Sequence, residues 1–232
     1  MSAKAPSKLG PLWARRVGWF LAHVYWNTEV RGKKRVPRDG PAILVMNHVG
    51  FIDGPIAFGV VPRRSYFLIR RSMFVGPFKW LLTWAAQIPV ENDGGRSALA
   101  SGLAVLRRGD VVGVFPEGTR GTGTAQSVHG GAAWLAVQSG APVVPAAIVG
   151  TRRTGESVNV WPTPRRRLLI EFGDPLPLEL PDGLSGRARQ AAAAEAMAAG
   201  LRAHLAAVLP TTDLRLPTDD PLRDRARPKE SS

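Results

Sequence analysis

The chain is 232 residues long, 44% hydrophobic and free of cysteine, with 31 Lys and Arg against 18 Asp and Glu. That composition suits one globular domain with a real core, and it excludes a disordered chain, a disulfide framework, a thiolate metal site and a cysteine nucleophile. The formal net charge of +13 points to an anionic partner (a phosphate ligand, an acidic membrane surface, a nucleic acid or an acidic carrier protein), with generic solvated arginine as the plainer account of part of it.

In chain order, residues 1–10 are polar and expected to fray. Leu12 to Trp26 reads as a helix. Trp13, Val17, Phe20, Leu21 and Val24 fall near helical spacing, with Arg15 and Arg16 toward another side. It is read either as an interfacial helix, since Trp, Tyr and basic residues favour the membrane–water boundary, or as a helix packing its aromatic stripe on its own domain. His23 interrupts the apolar run and no small-residue cleavage site follows, so the run does not read as a signal peptide. Lys33-Lys34-Arg35 mark a solvated turn. Ala42 to Met46 reads as a buried strand. It is followed by Asn47-His48-Val49-Gly50-Phe51-Ile52-Asp53, then a helix to about Val60 with Asp53 near its N-cap. A strand over Tyr66–Ile69 ends at Arg70-Arg71. Ser72 to Trp84 is aromatic-rich, which suits an apolar tunnel, lipid contact or plain core packing.

Ile88-Pro89-Val90 reads as a short strand. Gly94-Gly95 then opens a helix to about Arg107, with Gly109 as C-cap. Two glycines at a helix start let the backbone approach a phosphate, and Arg96 is at hand. Val111 to Phe115 is another buried strand, ending in Pro116-Glu117-Gly118-Thr119-Arg120. Glu117 can accept from hydroxyls and Arg120 can grip a phosphate or carboxylate with its planar fork; the alternative is a turn with an ordinary surface arginine. Gly121 to Thr151 is uncharged and long enough for a membrane span. Gln138-Ser139-Gly140 and Pro142 break it, so it reads as a helix over Gly131–Ser139, a turn, and a strand over Val143–Ile148. Pro145 implies an edge or irregular position in that strand. The basic pairs Arg152-Arg153 and Arg165-Arg166 flank this part. Arg167 to Phe172 is a strand, Ser185 to Leu209 an Ala-rich covering helix, and the chain from Pro210 a mobile tail.

The expected architecture is a single α/β domain, with an open, mostly parallel central sheet flanked by helices and an N-terminal amphipathic helix. The expected division is 1–35 as a membrane-interfacial segment, 36–209 as the domain and 210–232 as the tail. Two polar clusters leave the carboxyl ends of apolar strands, the edge along which open α/β sheets bind ligands. A histidine with a nearby carboxylate is a general base with an orienting partner, although Asp53 also reads as a plain helix cap. Backbone amides around Gly50 are candidates for steadying an oxyanion. There is no Gly-x-Ser-x-Gly elbow, no nucleotide fingerprint and no metal-ligand spacing. The basic pairs are too scattered for nucleic-acid recognition.

Asn47-His48 with Asp53, then Phe115-Pro116-Glu117-Gly118-Thr119-Arg120, then Val144-Pro145 before an apolar strand, resembles the glycerolipid acyltransferases of the 1-acylglycerol-3-phosphate acyltransferase type over roughly residues 36–175. The resemblance implies a mixed, mostly parallel α/β sheet and acyl transfer from acyl-CoA or an acyl carrier protein to the hydroxyl of lysophosphatidic acid, without a cofactor. The charge, the aromatic stretches and the lack of a signal-peptide pattern add the expectation of a peripheral protein on an anionic membrane surface at the cytoplasmic face. It implies His48 as base and Asp53 as its partner. It gives Glu117, Gly118, Thr119 and Arg120 the acceptor's glycerol and phosphate, and Pro145 a part in shaping the acyl or acceptor site. Two departures concern the acceptor. The family often has an Arg where this chain has Asn92, with Arg96 as a replacement, and a Lys where this chain has His129. Another lysolipid acceptor and a non-catalytic polyanion-binding protein are the rival expectations.

Overall fold

The apolar runs become the inner strands of one sheet. The computed structural model describes residues 5–91, 95–116, 121–125, 130–181 and 183–221. The strands are Asn27–Arg31 (β1), Ala42–Met46 (β2), Ser65–Arg70 (β3), Ile88–Val90 (β4), Val111–Val114 (β5), Val143–Val149 (β6) and Arg167–Phe172 (β7). Among the described residues they form one seven-stranded sheet, ordered β1-β7-β6-β2-β5-β3-β4. Strands β2 to β6 run parallel. β7 is antiparallel to β6, and β1 follows β7. Every residue of β2, β5 and β6 is buried, as strands covered on both faces require.

The helices are Gly10–Phe20 (α1), Asp53–Val60 (α2), Gly76–Trp84 (α3), Arg96–Arg107 (α4), Gly130–Ser139 (α5) and Gly186–Val208 (α6). α1 and α2 cover one face, where Ala14, Ile56 and Ala57 pack with Leu44, Met46 and Ile148. α4, α5 and α6 cover the other, where Leu106, Leu135 and Met197 pack with Ile43, Val45 and Val112. The connection from β2 to β3 thus passes over one face and that from β5 to β6 over the opposite one. The loops leaving β2 and β5 diverge, which opens a crevice between their carboxyl ends. Residues 186–211 are long and apolar enough to cross a membrane; here Leu201, Leu205 and Val208 pack against Ala147, Val149 and Leu169 instead.

Several expectations need correction. Residues 5–10 do not fray. Tyr66 Oη donates to the Ser7 carbonyl at 3.0 Å and Arg108 Nη1 to the Pro6 carbonyl at 2.7 Å. Residue 35 is not a boundary, because β1 is an integral edge strand and α1 lies on α2. Pro145 is not at an edge. β6 lies inside the sheet, and Pro145 sits one step beyond the antiparallel ladder that pairs Ala146–Val149 with Leu169–Phe172. Its carbonyl accepts from the Gly173 amide at 2.8 Å, and its missing N–H forgoes only the return bond at that last step. The segment from Pro210 to Pro221 is docked rather than mobile. Arg31 Nη1 donates to Thr211 Oγ1 and Arg167 Nη1 to Asp213 Oδ2, while Leu214 and Leu216 pack beneath α6.

The N-terminal helix packs one side on its own domain and leaves another side bare. Trp13 and Leu21 pack against the core, while Trp19 and Phe20 stand about half exposed. α3 goes further and buries no residue. Its Trp80 and Trp84 are each 63% exposed, which rules out core packing for these two indoles, while Phe74 ahead of the helix is buried.

Candidate active site

β2 ends at Met46 and the chain turns on Asn47. The Asn47 side chain is fully buried and extends the β2–β6 ladder by one step. Its Nδ2 donates to the Ile148 carbonyl at 2.9 Å and its Oδ1 accepts from the Ile148 amide at 2.7 Å. That anchors the strand end and points His48 onto the α1–α2 face. Sequence reading gave Asn47 no role. The signal available was a polar amide at the end of a wholly apolar run.

Asp53 is the first residue of α2, where a carboxylate is favoured by the helix dipole. It is completely buried and reaches back across the turn. Its Oδ2 accepts from His48 Nδ1 at 2.8 Å, the Val49 amide at 2.7 Å and the Gly50 amide at 2.9 Å. The other oxygen, Oδ1, is buried with no hydrogen-bond partner among the described residues. Three converging donors on one oxygen hold the turn and orient the imidazole with Nδ1–H toward the carboxylate. The Gly50 amide is spent on Asp53, so the expectation that it steadies an oxyanion fails.

The His48 ring is 19% exposed and stacks on Phe115, with centroids 4.3 Å apart and planes at 25°. Phe115 is the first residue past β5, so the stacking spans the crevice between the two strands. The segment Glu117-Gly118-Thr119-Arg120 lies outside the described residues, as do Asn92 and His129. Its flanks both touch His48: Phe115 through its ring, and Gly121 by donating its amide to the His48 carbonyl at 3.1 Å.

His48 opens on a cavity of about 760 Å³, within the usual range for small-molecule sites. Its wall is largely apolar and includes Leu21, Phe51, Phe67, Phe78, Leu81 and Leu99. The lining spans both sheet faces around the carboxyl ends of β3 and β4. Among the described lining residues Arg70 is the one permanent cation, exposed at the end of β3 with Glu91 nearby. Arg96 is exposed at the first position of α4. Its neighbour Gly95 lines the cavity and takes the left-handed conformation (φ +64°) that glycine accommodates best. Pro145 does not reach the cavity. Its Cγ lies where a Gly173 side chain would sit 2.8 Å away, toward α6, the sheet face opposite His48. Among the described residues no cluster of His, Asp and Glu is arranged to hold a metal ion.

A buried carboxylate hydrogen-bonded to an imidazole at the switch point of a mostly parallel sheet, beside an apolar cavity, is an arrangement suited to general-base chemistry. The acyltransferase family model matches residues 27–149, and the chain belongs to that family. It is 29% identical over 127 residues to the 1-acyl-sn-glycerol-3-phosphate acyltransferase of Bacillus subtilis, a stretch covering 53% of this chain and 62% of that enzyme. It is 32% identical over 151 residues to the lyso-ornithine lipid O-acyltransferase of Pseudomonas aeruginosa, covering 62% of this chain and 57% of the relative. The match spans less than two thirds of these relatives' length. In fold, the chain is similar to the crystal structure of the 1-acyl-sn-glycerophosphate (LPA) acyltransferase PlsC from Thermotoga maritima. The TM-score is 0.58 at 24% identity, over 84% of this chain and 78% of that one.

Proposed function

We propose that this protein transfers a fatty acyl group from a thioester, either acyl-CoA or an acyl carrier protein, to the free hydroxyl of lysophosphatidic acid. The observation that carries this is the His48–Asp53 pair, joined at 2.8 Å and opening on the apolar cavity. Asp53 fixes the imidazole tautomer. Nε2 of His48 takes the proton from the acceptor hydroxyl as its oxygen attacks the thioester carbonyl. The tetrahedral oxyanion collapses, the C–S bond breaks, and the imidazolium returns its proton to the leaving thiolate. No acyl-enzyme forms. Arg70 and Arg120 serve the acceptor phosphate, Arg70 at the cavity mouth and Arg120 in the segment whose flanks meet His48. Glu117, Gly118 and Thr119 hold the glycerol. Arg96, beside the cavity wall, completes the cationic rim.

The half-exposed apolar residues of α1 and the bare face of α3 border this cavity, so the same reading seats the protein peripherally on an anionic membrane, from which its acceptor enters. The lyso-ornithine lipid relative, with Asn92 and His129 at positions the resemblance expects to be cationic, favours one second reading: the same chemistry on a lysolipid without a glycerol phosphate.

The test is thioester release by purified protein with a panel of lysolipids and each donor in turn. Lysophosphatidic acid is expected to be the preferred acceptor, and preference for an amino-acid-based lysolipid would select the second reading. His48→Ala should abolish turnover, since the base supplies about 10²–10⁴-fold and misplaced water cannot replace it. Most activity surviving in that variant would sink the reading.

A further inference from the structure

Arg152 follows β6 in the sequence Gly150-Thr151-Arg152-Arg153, where a basic pair suggests a solvated turn. The structure buries its side chain completely. A guanidinium has five N–H donors, and all five are used. Nε donates to the Val49 carbonyl at 3.0 Å. Nη1 donates to the Glu156 carbonyl at 3.1 Å and to Asp219 Oδ1 at 2.9 Å. Nη2 donates to the Gly121 carbonyl at 3.1 Å and to the Asp219 carbonyl at 2.8 Å.

Two of these acceptors belong to the site. Val49 is the residue between His48 and the turn that Asp53 closes. Gly121 is the residue whose amide already holds the His48 carbonyl. Arg152 therefore closes a ring: His48 carbonyl to Gly121 amide, Gly121 carbonyl to guanidinium, guanidinium to Val49 carbonyl. A side chain at Gly50 would meet Arg152 Cβ at 3.4 Å, and one at Gly121 would meet Asp220 Oδ2 at 2.9 Å.

The charge is countered from the far end of the chain. Asp219 sits on the docked C-terminal segment, which is fastened by Gly155 N to Asp219 Oδ2 at 3.2 Å and Thr218 N to Thr154 Oγ1 at 3.1 Å. Burial alone pushes the Asp219 carboxyl up; the Gly155 amide and the Arg152 guanidinium outweigh it and hold it below its ordinary value.

We infer that Arg152 is a positioning residue for acyl transfer: backed by Asp219, it fixes the backbone of the His48 turn and the backbone at Gly121 at one mutual distance. The role rests on His48 being the base. A Lys at 152 offers three donors from a point rather than five from a fork, so it keeps the charge but releases part of the ring.

The experiment compares Arg152→Lys, Asp219→Asn, the double variant and His48→Ala in full-length protein. Steady-state kinetics are measured alongside hydrogen exchange of the amides at Val49, Gly50 and Gly121. R152K should stay folded and lose kcat by about 10²-fold with little change in donor KM, as expected for a small displacement of a catalytic group. Exchange at the three amides should quicken. D219N should show a smaller loss, and the double variant should lose less than the two singles combined, because both act through one ring. Wild-type kcat in R152K, or a loss that vanishes well below each variant's melting temperature, overturns the role. A dead H48A beside an unimpaired R152K overturns the positioning role alone. An active H48A overturns the base assignment, and this role with it.

Discussion

Asp53 shows how much can depend on one oxygen. Its Oδ2 carries three hydrogen bonds and its Oδ1, buried, has none among the described residues. Asp53→Asn can keep a carbonyl oxygen at the Oδ2 position, so the turn survives, but it puts an amide donor where nothing accepts. The expected cost is about 1–3 kcal/mol of stability for the orphaned donor. The kinetic loss should be larger, about 10²–10⁴-fold in kcat, because a neutral amide cannot stabilise the imidazolium. Denaturant titration and steady-state kinetics on one preparation check both, and an Asp53→Asn protein with normal kcat would reduce Asp53 to a helix-start residue. The pair itself was legible in the sequence, since strand, short turn and helix start fix where both side chains emerge. Arg152 was not. Its burial comes from acceptors 31, 67 and 103 residues away, and nothing local in Thr-Arg-Arg separates a buried fork from a solvated one.

At the scale of elements, α1 and α2 cross backbone against backbone. A Cβ on Gly59 would lie 2.1 Å from the Gly18 carbonyl carbon and 2.6 Å from the Trp19 amide nitrogen, all of it backbone. Helix propensity alone says Gly59→Ala stabilises by about 0.5–1 kcal/mol. The overlap says the helices must separate, at about 1–3 kcal/mol, so the clash wins and the variant is destabilised. Because α1 supplies Ala14, Val17 and Gly18 to the cavity wall, the variant should also change turnover across donors of different chain length. A Gly59→Ala protein that melts no lower than wild type would count against so close a crossing. β2, β4, β5, β6 and β7 were readable as apolar runs bounded by Gly and Pro, and their bounds came out within a residue or two. β1 was missed. Asn-Thr-Glu-Val-Arg has no apolar run, buries only Thr28, and becomes a strand because β7, some 140 residues later, offers an edge.

For the whole molecule, an α/β sheet with helical layers was legible from the alternation of apolar strands and helices, and its mixed character only from the family resemblance. The docked C-terminal segment was not, because Pro, Asp and Arg read as solvent-loving until their partners are known. Under the proposed seating on a membrane, charge and α3 act together: +13 favours an anionic surface, and α3 offers the apolar contact. Each indole losing on the order of 100 Å² to lipid gains about 2.5 kcal/mol. Trp80→Ala with Trp84→Ala should therefore weaken partitioning onto anionic vesicles by upwards of about 10²-fold, while activity on a micelle-dispersed short-chain substrate persists. Undiminished vesicle binding by the double variant would put the contact elsewhere.

The helix Gly10–Phe20 presents Ala14 and Gly18 to the cavity and Leu12, Trp19 and Phe20 outward. A single cylinder about 16 Å long is thus both the inner lining of the chamber and part of the outer hull. Whatever presses on the hull presses on the chamber, so under the proposed membrane seating the lateral pressure and thickness of the lipid become a setting of the site, and rates in detergent and in bilayers are expected to differ as rates of differently shaped rooms.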